Sequence, residues 1–235
     1  MRLAATEYDR VVTLLRAMPA EGWARPTDCP GWDAHALTAH LLGMAEMAAT
    51  MREQLRQTRK AKKAGGNFLD ALTALQVEER KQLSPAQLIE RYAEVGPRAA
   101  KARRRVPGFL RKRPMPDPQA AGGKPDSPRE TWALGYLIDV ILTRDPWMHR
   151  TELAAAAGSP MLLTPDHDGV IVADVVAEWA DRHGQPCTLV ISGPAGGRWS
   201  FGSGGPSIEM DAVEFCRILS GRGPASGLLT TEVPF

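Results

Sequence analysis

The sequence has few cysteines and no long apolar run. Its three cysteines, among 235 residues, are odd in number and far apart, which argues against a disulfide framework and for reduced thiols. No stretch approaches the roughly 18–20 uninterrupted apolar residues of a membrane span, and Glu7 and Asp9 stand where a secretory signal would have its apolar core. We therefore expect a soluble cytoplasmic protein with no membrane partner. The three cysteines are Cys29, Cys187 and Cys216.

Acidic residues are also missing from one segment, between Arg98 and Arg113, which holds eight basic residues. The whole chain is nearly balanced, with 29 basic and 27 acidic residues. A basic run with one aromatic, Phe109, is one way to contact nucleic-acid phosphates, but no helix-turn-helix, zinc-finger or RNA-recognition signature lies beside it. A solvated face and a surface that attracts small anionic substrates are the alternatives. We do not expect nucleic acid to be the main partner.

The first two thirds of the chain predict helices. Amphipathic spacing predicts a helix over 3–18, and strong helix formers predict a long second helix from Ala34 to about Lys62 with Asp33 as its N-cap. A third helix is expected to end near Leu83, and Ser84 with Pro85 starts a fourth. Residues 106–128 are rich in proline and glycine and predict a long loop. A capping box at residues 127–130 then restarts a helix toward Gly158.

The last third has a different pattern. Two helices are predicted, over 169–182 and 212–220, with Gly/Pro turns between them and three short strand-like runs. These runs are 161–163, 187–192 and 198–201. The sequence therefore predicts an α+β protein with two domains, a helical bundle over residues 1–158 and a small α+β domain over residues 159–235.

Three residues are candidate metal ligands. Asp145 and His149 are four residues apart, so in a continuous helix their side chains share one face. His40 lies on an apolar face of the second helix, and a bundle brings such faces together. One carboxylate and two imidazoles suit a divalent ion of the zinc type and leave a coordination position open. His35, five residues before His40, would face away.

Each of these residues also has an ordinary structural interpretation. A single histidine on an apolar face is often a hydrogen-bonded core residue, and an acid four residues before a histidine is often a surface ion pair. If Pro146 began a new helix, Asp145 would be its N-cap and would not be available as a ligand. Cys29 has no basic neighbour in sequence that would activate its thiol as a nucleophile. The glycine-rich string SGPAGGRWSFGSGGPS fits hairpin turns better than phosphate binding.

Three strings carry a resemblance to a known family. They are PTDCPGWDAHALTAHLLG, DPWMHRTELAAAAG and EFCRILSGRG. Together they resemble the mycothiol-dependent maleylpyruvate isomerase family over nearly the whole chain. The resemblance implies a DinB-like four-helix bundle followed by a small domain similar to sterol-carrier folds. It also implies a zinc site made by His40, Asp145 and His149. The best-known isomerase of the family has Glu where this chain has Asp145, so the carboxylate here is shorter by one methylene.

The resemblance further implies a chemistry. Mycothiol would be the co-substrate, its thiol would add to an electrophilic small molecule, and the partners would be that thiol and that electrophile. Addition to an activated cis double bond, rotation and elimination would give an isomerase, whereas release of the adduct would give a transferase. Arg222 matches the family's arginine in its C-terminal domain and is expected to contact an anionic group. The alternatives are a solvated arginine there and, for the chain, a non-catalytic binding or regulatory protein. We expect a monomer or a homodimer.

Overall fold

The computed structural model describes residues 1–116 and 130–235. The chain divides into two compact units, Met1–Ser159 and Pro160–Phe235. The first unit is a bundle of helices with one small strand pair, and the second combines two helices with a sheet, so the protein is α+β. No helix within the described ranges is both long and apolar enough to span a membrane.

The first unit is built around four helices. Its buried apolar cluster joins α1, α2, α5 and the last helix, α8, and includes Leu15, Leu42, Tyr92 and Leu153, each at most 1% exposed. The helices are α1 (Arg2–Ala17), α2 (Ala34–Ala49), α3 (Met51–Ala64), α4 (Phe68–Glu78), α5 (Pro85–Arg105), α6 (Gly108–Arg111), α7 (Leu134–Tyr136) and α8 (Leu142–Ala157).

The prediction of one long second helix is wrong in one respect, because this segment forms two helices, α2 and α3. Thr50 adopts an extended conformation, with φ −144° and ψ 139°, and so separates α2 from α3. Its hydroxyl accepts a hydrogen bond from the backbone N–H of Glu53 at 3.3 Å and caps α3. The prediction that Asp33 caps α2 is confirmed, since its carboxylate accepts from the N–H of Ala36 at 2.8 Å.

The predicted loop over 106–128 contains regular structure in its described part. Helix α6 lies within it, and strand β1 (Pro114–Pro116) pairs antiparallel with β2 (Thr131–Ala133). The pairing is stabilised by burial of Trp132, which is 4% exposed. The capping box predicted at 127–130 falls mostly outside the described residues, and the helix after it begins at Leu134.

The helical run that contains Asp145 and His149 is continuous through Pro146. A π-helical turn, Leu137–Ile141, joins α7 to α8. Pro146 lies inside α8, so Asp145 is a helical residue and not an N-cap. Proline has no N–H to donate to the carbonyl of Leu142, and Arg103 supplies that donor instead, at 2.9 Å. Arg103 also binds the carbonyl of Ile138, so it satisfies acceptors that the helix leaves free.

The second unit has a sheet of three strands in residues 160–235, all of which are described. Its strands are β3 (Cys187–Ser192), β4 (Gly197–Phe201) and β5 (Ser207–Asp211), in the order β4-β3-β5. Strand β3 is antiparallel to β4 and parallel to β5. The helices are α9 (Asp168–His183) and α10 (Ala212–Leu219).

The strand predicted at 161–163 is wrong, and β5 was not predicted. The described segment 161–163 has no strand conformation; it leads into α9, where the Asp168 carboxylate accepts from the N–H of Thr164 at 2.6 Å. Strand β5 follows a Gly/Pro-rich stretch whose composition predicts a turn. It becomes a strand because β3 offers an open edge.

Candidate metal centre

His40 enters the bundle interior from α2 and has a defined tautomer. It is 5% exposed, and its Nδ1 lies 2.8 Å from Oε1 of Gln76 on α4. An amide oxygen only accepts, so Nδ1 carries the proton and donates it. The other nitrogen, Nε2, is left with a lone pair for a ligand role. His35, by contrast, bonds through Nε2 to the carbonyl of Leu83 at 2.8 Å and is not part of this cluster.

Helix α8 brings Asp145 and His149 to the same place. The Oδ1 atom of Asp145 lies 3.3 Å from Nε2 of His149, as four-residue spacing in a continuous helix allows. The His149 ring stands nearly perpendicular to that of His40, at 86°, with their centroids 5.4 Å apart. One ligand atom from each of His40, Asp145 and His149 lies within 4.8 Å of the others. The three residues predicted from the sequence therefore meet inside the bundle.

A buried amide network holds the partner of His40. The side-chain amide of Gln76 donates to Oε1 of Gln57 at 2.9 Å, and the amide of Gln57 donates to the carbonyl of Gly43 at 3.0 Å. Both glutamines are fully buried. Gly43 is required here, because a Cβ on it would come within 2.6 Å of the Gln76 side chain. Sequence reasoning missed both glutamines.

Glu152 supports His149 in the same way. This fully buried carboxylate accepts a hydrogen bond from Nδ1 of His149 at 2.8 Å. The same oxygen, Oε2, accepts the thiol proton of Cys29 at 3.6 Å. Sequence reasoning missed Glu152, although its position three residues after His149 and seven after Asp145 places it on the same helical stripe. Cys29, Glu152 and His149 form a second cluster whose ligand atoms lie within 4.8 Å of one another.

The two imidazoles differ in charge. Burial lowers the pKa of His40 to about 4, so this ring is neutral near pH 7. Burial also disfavours the charged form of His149. The carboxylate of Asp145 and hydrogen bonds to Asp145, Cys29 and Glu152 outweigh burial and raise the pKa of His149 well above 6.5. The site therefore concentrates negative charge around one imidazole, as a cation site requires.

The donor set fits a divalent ion. Two nitrogens and one carboxylate oxygen are ligands that zinc accepts, and three protein ligands leave a position open. Two such ligands, each about 2.0 Å from a tetrahedral zinc ion, stand roughly 3.3 Å apart. The separation of Asp145 Oδ1 and His149 Nε2, 3.3 Å, agrees with that value. Trp32 covers the side of His40, with ring centroids 5.2 Å apart.

The other predicted functional residues lie elsewhere in the chain. Arg222 follows α10 in the second unit, is half-buried, and its backbone N–H donates to the carbonyl of Arg217 at 2.8 Å. In the basic segment, Arg103 is buried and Arg111 bonds to the carbonyls of Arg103 and Val106. These two arginines therefore have structural roles. The other basic residues there are exposed: Arg98, Lys101, Arg104, Arg105, Lys112 and Arg113.

Fold and site together define a helical bundle with a buried cluster of nitrogen and oxygen ligands suited to a divalent metal, followed by a small α+β unit. Comparison with known proteins places the chain in a family. Residues 4–154 match the family described as mycothiol maleylpyruvate isomerase N-terminal domain, and the chain belongs to it. The match covers α1 to α8 almost completely, including the three candidate ligands.

Individual relatives and solved structures are more distant. Two Mycobacterium tuberculosis proteins, from strains H37Rv and CDC 1551 and both described as uncharacterized, are 26% identical over 94% of this chain and 84% of theirs. Two crystal structures of the mycothiol-dependent maleylpyruvate isomerase, one of them a mutant, have a TM-score of 0.57. They are 15% and 16% identical to this chain. The similarity covers 94% of this chain and 88% of each of theirs. At that identity they show a shared fold.

Proposed function

We propose that the protein is a mycothiol-dependent metalloenzyme, either a maleylpyruvate-type cis-trans isomerase or a thiol S-transferase. The observation that carries the proposal is the convergence of His40, Asp145 and His149 in the bundle interior of a chain that belongs to this family. A divalent ion such as zinc would lower the pKa of a thiol bound to it and so make a reactive thiolate available near neutral pH.

The residues around the site would prepare it for this role. His40 and His149 present Nε2, because Gln76 and Glu152 engage their Nδ1 atoms. The carboxylate of Asp145 offsets part of the charge of a divalent cation. The Trp32 ring, whose centroid lies 5.2 Å from that of His40, would limit the access of water to that side of the site. Arg222 lies outside the residues matched to the family, 4–154, and is proposed to bind an anionic group of the thiol or of its acceptor because its sequence context resembles that of the family's C-terminal arginine.

The cell compartment and the oligomeric state are part of the same proposal. All three cysteines lie in the described part of the chain and are unbonded, which suits a reducing cytoplasm where a low-molecular-weight thiol is kept reduced. We propose a cytoplasmic enzyme that is a monomer or a homodimer. Its partners would be a small thiol and an electrophile.

Metal content and thiol-dependent turnover test the proposal. Protein purified without a metal-chelating tag is expected to hold one divalent ion per chain, and His40→Ala is expected to lose it. His35→Ala is the matched control, because His35 lies on the same helix and bonds to the Leu83 carbonyl instead of the cluster. Loss of metal in both variants, or in neither, would contradict the site.

Activity separates catalysis from simple binding. The metal-loaded protein is incubated with mycothiol and a set of activated cis alkenes and other electrophiles, and products are identified by mass spectrometry. Thiol-dependent isomerisation or conjugation that is absent from His40→Ala supports the enzyme. Metal binding with no turnover on any electrophile would favour the non-catalytic alternative.

A further inference from the structure

His149 has a group of potential ligands at each of its two ring nitrogens. Nε2 faces Asp145 and belongs to the cluster with His40, whereas Nδ1 faces Glu152, whose Oε2 also lies 3.6 Å from Sγ of Cys29. Both clusters meet the same distance condition, with ligand atoms within 4.8 Å of one another. The proposed function uses only the first cluster. The second cluster contains the one cysteine of the chain that is not fully buried.

The second cluster differs from the first in its chemistry. It offers a sulfur, a nitrogen and an oxygen, and a thiolate favours softer ions than a set made only of nitrogen and oxygen. A sulfur and an oxygen bound to one tetrahedral zinc-sized ion stand about 3.5 Å apart, close to the 3.6 Å observed between Cys29 and Glu152. The nitrogen and oxygen of His149 and Glu152 are 2.8 Å apart and need only about 0.5 Å of side-chain movement to share an ion.

The two nitrogens of His149 make the two sites alternatives. An ion on Nε2 leaves the proton on Nδ1, which donates to Glu152. An ion on Nδ1 leaves the proton on Nε2, which donates to Asp145. In each case one carboxylate is a ligand and the other fixes the tautomer of the ring. Occupying both sites at once would require removal of both ring protons.

We propose that Cys29, His149 and Glu152 form a second metal site, selective for soft divalent ions, that is occupied in alternation with the site of His40, Asp145 and His149. Binding there displaces the thiol proton of Cys29 to solvent and converts the sulfur to a thiolate ligand. A soft ion at this site would occupy His149 and so keep a catalytic ion from completing its own ligand set. This site goes beyond the proposed function and does not depend on mycothiol.

The loop that carries Cys29 is held in place for this role. The Thr27 N–H donates to the carbonyl of Trp32 at 3.0 Å, and the Trp32 N–H donates to the carbonyl of Cys29 at 3.0 Å. Thr27 Oγ1 also accepts from the N–H of Cys29 at 3.3 Å. These bonds fix the backbone on both sides of the thiol. The sulfur is therefore positioned before any ion arrives, which lowers the entropic cost of binding.

Cadmium and manganese are the two probes for the test. Cd²⁺ reports a thiolate ligand through ultraviolet charge-transfer absorption, and Mn²⁺ binding is followed by electron paramagnetic resonance. Cys29→Ser removes the sulfur but keeps a hydroxyl that donates to Glu152, whereas His40→Ala removes a ligand of the first site only. Circular dichroism and thermal unfolding confirm that each variant is folded.

The two variants are expected to respond in opposite ways. Wild type and His40→Ala should bind one Cd²⁺ per chain with charge-transfer absorption, and Cys29→Ser should lose the absorption and about tenfold or more in Cd²⁺ affinity. Mn²⁺ affinity should be unchanged in Cys29→Ser and lost in His40→Ala. A charge-transfer band that persists in Cys29→Ser, or that wild type never shows, would overturn the second site.

The stoichiometry tests alternation separately. Two cadmium ions per wild-type chain would overturn it, and one ion that Mn²⁺ displaces in competition supports it. The results also distinguish this inference from the proposed function. A wild-type protein that shows the cadmium band but binds no Mn²⁺ would reject the proposed catalytic centre and leave the second site standing.

Discussion

At the scale of single residues, the candidate centre depends on hydrogen bonds made by Nδ1 of His40 and of His149, the ring nitrogens on the far side from the cluster of His40, Asp145 and His149. His40 and His149 are both neutral-tautomer ligands only if Nδ1 has an acceptor, and Gln76 and Glu152 supply one each. The two acceptors differ, because one is a neutral amide and the other a carboxylate. A carboxylate makes the ring a stronger donor to a metal than an amide does. We therefore expect His149 to be the stronger ligand of the pair.

The amide partner of His40 gives the first prediction. Gln76→Ala removes the acceptor for Nδ1 and leaves the Oε1 of Gln57 without its donor at 2.9 Å. The His40 ring is then free to rotate or to change tautomer, so metal affinity should fall roughly tenfold to a hundredfold. Isothermal titration with Zn²⁺ in competition with a chelator measures the change.

Gln54→Ala is the control for this variant. Gln54 lies on α3, one turn before Gln57, and is exposed. It should leave Zn²⁺ affinity unchanged. Equal affinity in Gln76→Ala and wild type would show that the amide does not orient His40.

The candidate ligands could be predicted from the sequence, but the residues that support them could not. Four-residue spacing indicates that Asp145 and His149 share a face, and apolar neighbours indicate that His40 points inward. Gln76 has no such signal, because a buried glutamine has the same pattern as an exposed one until its neighbours are known. Cys29 is 123 residues from Glu152 along the chain, so only the fold brings the two together.

At the scale of secondary structure, the position of Asp145 depends on how α8 tolerates Pro146. The π turn before α8 and the proline within it leave backbone carbonyls without helical donors. The guanidinium of Arg103, from α5, bonds to the carbonyls of Ile138 and Leu142 and to the hydroxyl of Thr143 at 2.6–2.9 Å. One buried side chain thus supplies donors to two backbone carbonyls just before the candidate ligand residues.

Replacing this arginine should destabilise the fold. Arg103→Ala leaves the two carbonyls without their donor in a buried region, and we expect a loss of about 3 kcal/mol in the free energy of unfolding. The start of α8 should also move, which lowers metal affinity through Asp145. Urea unfolding followed by circular dichroism measures the stability.

The neighbouring Arg104→Ala is the matched control. Arg104 has the same chemistry and an exposed side chain, so its loss should change stability by less than about 0.5 kcal/mol. Similar effects of the two substitutions on the free energy of unfolding would mean that Arg103 contributes to stability only through its charge and not through its hydrogen bonds to the two carbonyls.

The pair of helices α3 and α4 predicts an acid-sensitive contribution to stability. Hydrogen bonds from Arg56, and then from Lys60, lower the pKa of Glu79 to about 2 from a normal 4.5, although burial opposes them. A pKa that is lower in the folded state gives stability that is present above about 4.5 and is lost as the pH falls toward 2. Glu79→Gln should therefore destabilise the protein at neutral pH and have little effect near pH 2.

Unfolding free energies of wild type and Glu79→Gln across this pH range test the sign. Glu78→Gln serves as control, because its carboxylate is 68% exposed and pairs with Lys81 at the surface. Solvent screening reduces the effect at Glu79 as well, since that side chain is 23% exposed. A difference between wild type and Glu79→Gln that grows on acidification would contradict the assignment.

Element boundaries were less predictable than element types. The composition of 34–62 favours helix throughout, and nothing in that composition requires the break at Thr50. The break accompanies contacts that are distant in sequence, since α3 packs on α4 as well as on α2, and Thr50 caps the new helix. Strand β5 was missed for the related reason that pairing with β3, a contact distant in sequence, decides its conformation.

At the scale of the whole molecule, the centre lies within one unit of the chain. His40, Asp145 and His149, with Gln76 and Glu152, all lie between Met1 and Ser159. That unit has its own apolar core and its own polar network. Arg222 is the only proposed functional residue outside it. Under the proposed function, metal binding would therefore belong to one unit and recognition of an anionic group to the other.

This division predicts that the two properties can be separated. A fragment of residues 1–159 should fold and bind Zn²⁺ with the affinity of the full chain, because every proposed ligand and its partners are present. Thiol-dependent turnover should be strongly reduced, since Arg222 is missing.

Zinc titration and turnover are measured on the fragment, on the full chain and on full-chain Arg222→Ala. The Arg222→Ala variant should match the fragment in turnover and wild type in metal affinity. A fragment that turns over as well as the full chain would reject the role of Arg222. A folded fragment that no longer binds zinc would show that the centre requires more than the bundle.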